Sequence, residues 1–129
     1  VDGDGEIIYT RPLDEVPKAT WHRNTGSIAI ALCCCYNARP DDLGEYPPTE
    51  AQIETLAKMF AVIAEVFDNP IDREHFMTHG EAANDDGYGL YSGDPDCRWD
   101  LEQLCDQDEI GTGGDILRGK AQWYLENGV

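Results

Sequence analysis

Residues 27–35 read Ser27-Ile28-Ala29-Ile30-Ala31-Leu32-Cys33-Cys34-Cys35, an uncharged and almost wholly apolar run. A continuous apolar stretch of this length has the pattern of a central strand covered on both faces, and it predicts the middle of a sheet. The three consecutive cysteines fit that reading as small apolar side chains, because free cysteine is among the most buried residue types. They do not suit a disulfide with one another, since a single peptide unit strains the geometry of the bond. Cys97 and Cys105 are separated enough to pair, and the sequence leaves their state open.

Working outward toward the N-terminus, Glu6-Ile7-Ile8-Tyr9-Thr10 is β-branched and aromatic and follows Asp4-Gly5, a hairpin-turn signal. It predicts one strand of a hairpin whose partner would lie before Val1. A strand left with an open edge is a liability, so this reading expects residues upstream of Val1. Toward the C-terminus, residues 39–48 are rich in Pro, Asp and Gly and read as a surface loop. Thr49-Glu50-Ala51-Gln52 then has the capping-box pattern, with Thr49 facing the first turn and Gln52 reaching back. Ile53, Leu56, Ala57, Phe60, Ile63, Ala64 and Phe67 recur at spacings of three and four, which predicts a helix with one broad apolar face.

Asn69-Pro70 ends that helix. Phe76-Met77-Thr78 reads as a short strand leading into His79. Residues 84–96 form a Gly- and Asp-rich loop, a short helix is expected near residues 99–104, and a last helix over about 116–125 closes at Asn127-Gly128. Strands alternating with helices predict an α/β layered fold: a mixed central β-sheet flanked by helices, in a single domain over residues 1–129. Residues 105–129 read as a helical C-terminal extension.

The charge balance narrows the partners. Lys and Arg number 9 against 26 Asp and Glu, a formal net charge of -17, so the long-range field repels polyanions. Nucleic acid and anionic membrane surfaces are therefore excluded as partners. No stretch approaches the roughly 20 apolar residues that span a bilayer, so no membrane insertion is expected. Val1-Asp2-Gly3-Asp4-Gly5 has none of the basic and apolar regions of a signal peptide.

Chemistry concentrates after residue 78. His79 stands at the end of an expected strand, just before Gly80-Glu81, where an imidazole can point into a cleft. Ser92-Gly93-Asp94-Pro95-Asp96-Cys97-Arg98-Trp99-Asp100 brings carboxylates and a thiol within a few residues. Imidazole with carboxylate or thiolate is a normal zinc donor set, and a catalytic zinc needs three such ligands and an open position. Trp21, Tyr88 and Tyr91 are suited to stack on sugar or peptide, and Trp21 equally suits the core. His75 reads as structural.

The order of these segments resembles the zinc-dependent N-acetylmuramoyl-L-alanine amidase family, which includes phage endolysins, bacterial cell-wall amidases and peptidoglycan recognition proteins. Residues 1–8 resemble its hairpin turn. Trp21-His22-Arg23-Asn24 with Ser27-Ile28-Ala29-Ile30 resembles its tryptophan-histidine, asparagine and serine-isoleucine-glycine-isoleucine run. Residues 48–52 resemble the start of its long helix. Thr78-His79-Gly80-Glu81 resembles its second zinc-ligand motif, and Asp94-Pro95 followed by Trp99 resembles its third. The likeness spans about residues 1 to 104.

What the resemblance implies is a zinc ion (Zn2+), with His79 as second ligand and Asp94 as third. Asp96 is the rival for the third place, since some members put a cysteine three residues before the aromatic that is here Trp99. The first histidine of the family lies on a strand before the hairpin, hence upstream of Val1. His22, Trp21 and Asn24 take substrate-lining positions in this reading. Ser92 stands where members often carry a lysine and becomes a weak oxyanion donor, while Glu81 becomes a carboxylate that orients a ligand or is simply a solvated loop residue. The implied activity is hydrolysis of the amide between N-acetylmuramic acid and L-alanine of the stem peptide. The implied partners are peptidoglycan or a muropeptide, with an N-terminal fragment of the same gene product as a further one. The implied place of action is the bacterial cell wall, reached by secretion, in the periplasm or by phage delivery. The alternative is a catalytically inactive peptidoglycan-binding module of the same fold.

Overall fold

The computed structural model describes residues 1–129. It contains three helices, α1 at Glu50–Phe67, α2 at His79–Asp86 and α3 at Gly113–Asn127. None is long and apolar enough to cross a membrane. The start of α1 follows from its sequence: Thr49 accepts the Gln52 N–H at 3.1 Å, and the Gln52 side chain accepts the Thr49 N–H at 2.9 Å. At the other end Asp68 adopts a left-handed conformation and its N–H reaches the Ala64 and Glu65 carbonyls, which closes the helix.

α1 and α3 pack against each other and hold the core. Leu56, Leu104 and Leu117 are buried at its centre, with Ile30, Leu32, Ile53, Phe60, Leu101 and Ile116 closing around them. Gly113 and Gly114 let the first turn of α3 press against its neighbours, because a Cβ at these positions would collide with the Leu101 carbonyl and the Glu81 carboxylate. Outside the core, Glu54 of α1 accepts hydrogen bonds from Lys120 and Tyr124 of α3.

The expected mixed central β-sheet is not formed. The chain has no strand, and its one bridge is the isolated antiparallel pair Arg39–Asp42. Residues 27–35 show why. Their backbone meets a ladder partner at one place only, where the Val1 ammonium donates to the Ala31 carbonyl at 2.7 Å and the Cys33 N–H donates to the Val1 carbonyl at 2.9 Å; the Cys35 N–H adds a single bond to the Tyr46 carbonyl at 2.6 Å. The alternation about Val1 is the parallel-ladder pattern, limited to one residue. A side chain then takes over from backbone, as the fully buried Gln52 amide donates to the Val1 and Cys33 carbonyls at 3.2 and 3.1 Å. Neither are the cysteines buried as expected: Cys33 is exposed, Cys34 and Cys35 are half-buried, and Cys35 turns the chain at φ 61°. All five cysteines are free thiols.

Three further expectations change with the sheet. Residues 6–10 leave Ile7, Ile8 and Tyr9 mostly exposed, although the turn before them exists. Asp2 accepts from the N–H groups of Asp4, Gly5 and Glu6, and Gly5, at φ 84°, lies so close to α1 that a Cβ would sit 2.8 Å from the Ala51 carbonyl. Residues 76–78 form no strand; Thr78 is the N-cap of α2, and His79 is a helix residue rather than a strand end. Residues 99–104 are turns, not a helix, because their polar backbone is spent elsewhere: the Glu102 carbonyl accepts the Gly111 and Gly113 N–H groups that lead into α3.

Candidate functional site

The first turn of α2 is fixed twice. Thr78 and Glu81 exchange a capping box, with the Glu81 N–H donating to the Thr78 hydroxyl at 3.1 Å and the Thr78 N–H donating to Glu81 Oε2 at 3.0 Å. The same carboxylate is gripped by Arg118 of α3, whose Nη1 and Nη2 donate to Oε2 and Oε1 at 2.8 and 2.7 Å. Both residues are buried. Arg118 also donates to the Phe76 carbonyl and to Asp115, both at 2.8 Å, and its hydrogen bond to Glu81 raises its already high pKa against the cost of burial. Glu81 is thus a strut between α2 and α3, and it lines neither of the clefts described below.

His79 sits within the turn this strut holds. Gly80 donates its N–H to the Asp100 carbonyl and has no room for a Cβ beside Glu102 and Trp99, so the 99–102 segment lies directly against α2. That approach brings Asp100 Oδ2 to 3.4 Å from His79 Nδ1. Desolvation of Asp100 works to raise its carboxyl, but the hydrogen bond and charge of the imidazole outweigh it and hold the group below the usual carboxylate range. A carboxylate at Nδ1 leaves Nε2 as the nitrogen open to a ligand or substrate.

A cleft of about 390 Å³ opens over His79, lined with Trp21, Tyr88, Asp94, Asp96, Arg98 and Ala19. Its aromatic wall is made by Trp21 and Tyr88, whose rings meet edge to face at 5.8 Å, and Tyr88 stands 6.4 Å from the imidazole. The opposite wall is the 92–98 loop. Ser92 donates its hydroxyl to the Gly89 carbonyl at 2.7 Å and accepts the Asp94 N–H at 3.1 Å, while Asp94 Oδ1 accepts the Asp96 N–H at 2.8 Å. The Arg98 N–H reaches back to the Tyr88 carbonyl at 3.0 Å, which ties the loop to the exit of α2.

The structure therefore brings together His79, Asp94 and Trp21, together with the rival donor Asp96. Ser92 shapes the loop from outside the cleft lining. Asn24 accepts the Ala19 and Thr20 N–H groups at 2.9 and 2.8 Å and lines an adjoining groove of about 640 Å³ that shares His79. His22, at φ 61°, meets Trp21 with ring centroids 3.8 Å apart and planes tilted by 52°, and it lines neither cleft. Asp100 and Arg98 are the site residues that sequence reasoning missed. Both stand in the acidic loop that drew attention, but no spacing rule marks a carboxylate that reaches an imidazole across a close helix contact.

A family model described as N-acetylmuramoyl-L-alanine amidase matches residues 1–95. The chain belongs to this family. His79 and Asp94 lie inside the match, whereas Arg98, Asp100 and the whole of α3 lie beyond it. Neither a curated protein nor a solved structure matches the chain.

Amidases of this family are typically zinc enzymes, and the residues can be tested against that requirement. A catalytic zinc takes three protein donors and leaves one position open. No three His, Cys, Asp or Glu side chains come together here in a way that could hold a metal ion. His79 and Asp94 offer two donors on one cleft, and the set stays incomplete in these residues.

Proposed function

We propose that this amidase-family chain seats peptidoglycan at the junction of N-acetylmuramic acid and L-alanine, and that the amide there is the bond its cleft serves to hydrolyse. The observation that carries the reading is convergence: Trp21, His79 and Asp94, far apart in sequence, line one cleft of ligand size within a chain of this family. In this reading Trp21 and Tyr88 give a flat apolar wall for the muramyl side, with the polar groups opposite setting orientation. His79, oriented by Asp100, presents Nε2 to the junction, and Asp94 faces it from the loop. Glu81 and Ser92 act as positioning residues, the first through α3 and the second through the loop backbone. His22 and Asn24 hold the 19–24 segment that carries Trp21.

The second reading, a muropeptide-binding module without turnover, is favoured by one observation, the incomplete donor set. A single experiment separates the two. Calorimetric titration with N-acetylmuramoyl-L-alanyl-D-isoglutamine, with and without one equivalent of zinc, is followed by chromatography for released dipeptide. The proposal expects binding that His79→Ala and Asp94→Ala weaken about tenfold or more, consistent with loss of a charged hydrogen-bond partner. It also expects release of dipeptide when zinc is added. Binding without release under any metal condition puts the binding module first, and absence of binding overturns both readings.

A further inference from the structure

In a chain of net charge -17, a free guanidinium is a rarity. Arg11, Arg23, Arg39, Arg73 and Arg118 each have a carboxylate oxygen within 4.0 Å. Arg98 has none, and it is the arginine that lines the small cleft. Its position is nonetheless defined: the backbone N–H is held by the Tyr88 carbonyl at 3.0 Å, and Nη1 donates to the Asp96 carbonyl at 2.9 Å. Nε and Nη2 have no protein acceptor. Beside it, the hydroxyl of Tyr88 is buried and has no hydrogen-bond partner, although the ring lines the same cleft. The guanidinium is exposed, so water serves its free N–H edges until a ligand acceptor displaces it, whereas the Tyr88 hydroxyl on the facing wall is out of reach of solvent.

We infer that Arg98 is a subsite for a free carboxylate of the stem peptide, one residue beyond the amide, and that it makes the cleft prefer the carboxylate form of that residue over its amide. The inference rests on the muropeptide reading above. A planar guanidinium with two free N–H edges matches a carboxylate and gains a charge-assisted pair that a neutral carboxamide cannot match. The surroundings sharpen the choice. Asp94 and Asp96 line the same cleft and repel an incoming anion, so Arg98 is the one permanently cationic side chain in the lining that can hold one. The cleft, at about 390 Å³, is small enough that a ligand whose amide faces His79 places its next residue within reach of the Arg98 wall.

The test uses two muramyl dipeptides that differ in one group, N-acetylmuramoyl-L-alanyl-D-glutamate and its D-isoglutamine counterpart, both capped at the γ-carboxyl as the methylamide so that only the first carries a free carboxylate, titrated calorimetrically into the protein. The wild type is expected to bind the acid at least about tenfold more tightly, the scale of one charge-assisted hydrogen-bonded pair. Arg98→Gln is expected to bring acid and amide within about twofold of each other, and Arg98→Lys to keep part of the preference because charge survives while the planar fork is lost. Thermal melts of both variants check that the fold is retained. Equal affinity of the wild type for both ligands, or a preference that Arg98→Gln leaves intact, overturns the subsite and leaves the muropeptide reading standing. Failure of both ligands to bind overturns the two together.

Discussion

The helical part of the molecule and the coil before it both carry large apolar side chains and bury them to different degrees. In α1, Leu56, Ala57, Ala61 and Ala64 are at most 3% exposed, whereas Ile7, Ile8, Tyr9, Leu13, Val16 and Trp21 of the coil are each more than half exposed. Composition contributes, since residues 1–49 hold five prolines and the helices none, and the source of the backbone hydrogen bonds does the rest. A helix closes its own N–H and C=O groups within the segment, so an apolar stripe at spacings of three and four is sufficient to define and dock it. A strand must find those partners on another segment, and an apolar run without one gains no regular structure. The cleft lies where the two regimes meet, with Trp21 from the coil facing His79 of α2 and the 92–98 loop.

The largest effect is expected from cutting the strut on the helical side. Arg118→Ala removes four hydrogen bonds and takes from the buried Glu81 carboxylate its close counter-charge, leaving only Arg73 at 4.0 Å. Breaking one partner of a buried pair costs about 3–5 kcal/mol, which chemical denaturation reads directly. Because Glu81 also caps α2, the loss should spread to His79, so ligand affinity falls even at temperatures where the chain remains folded. A variant as stable as the wild type would mean that the helical region does not depend on this pairing, and the contrast with the coil would lose its physical basis.

A smaller effect, confined to the seam between the regions, is expected from Gln52→Ala. The buried amide satisfies the Val1 and Cys33 carbonyls and the Thr49 N–H, and its removal should cost about 1–3 kcal/mol for the polar groups left unpaired. Hydrogen exchange sharpens the comparison further. The Cys33 amide, which donates to the Val1 carbonyl, should lose protection, while amides in the middle of α1 and α3 keep theirs. Equal loss in both places would show that coil and helices open as one unit.

The same contrast explains what could be read from the sequence. The capping box at Thr49 and Gln52, the apolar stripe of α1 and the helix before Asn127 are local signals, and α1 and α3 stand where they point. The sheet expected from the sequence does not form, because residues 27–35 carry the composition of a central strand and composition does not specify a neighbour. At the site, Trp21, His79 and Asp94 were legible through the resemblance and converge on one cleft. Asp100 and Arg98 were not, since the first depends on how closely Gly80 lets a loop approach and the second on which arginine is left without a carboxylate. The partner of Glu81 was not legible for a related reason. The place of Glu81 beside His79 suggested chemistry, while its partner Arg118 lies 37 residues away on a helix that carried no motif.

The subtlest test bears on the apolar run itself and changes reactivity rather than stability. A strand buried on both faces would shield all three adjacent thiols alike, whereas the structure grades them, with Cys33 exposed and Cys34 and Cys35 half-buried. Burial, followed by hydrogen bonding to Cys35, pushes the Cys34 thiol up to about 12. The thiolate is the nucleophile in alkylation, so a raised value means that Cys34 stays protonated and slow at pH 8, and that its rate keeps climbing as pH rises toward that value. Timed iodoacetamide labelling at pH 8, read by peptide mass spectrometry, should therefore modify Cys33 first and Cys34 last, with denaturant abolishing the order. Equal resistance of all three until denaturation would mean that residues 27–35 are covered as thoroughly as α1, and the division between self-sufficient helix and unpartnered run would no longer hold.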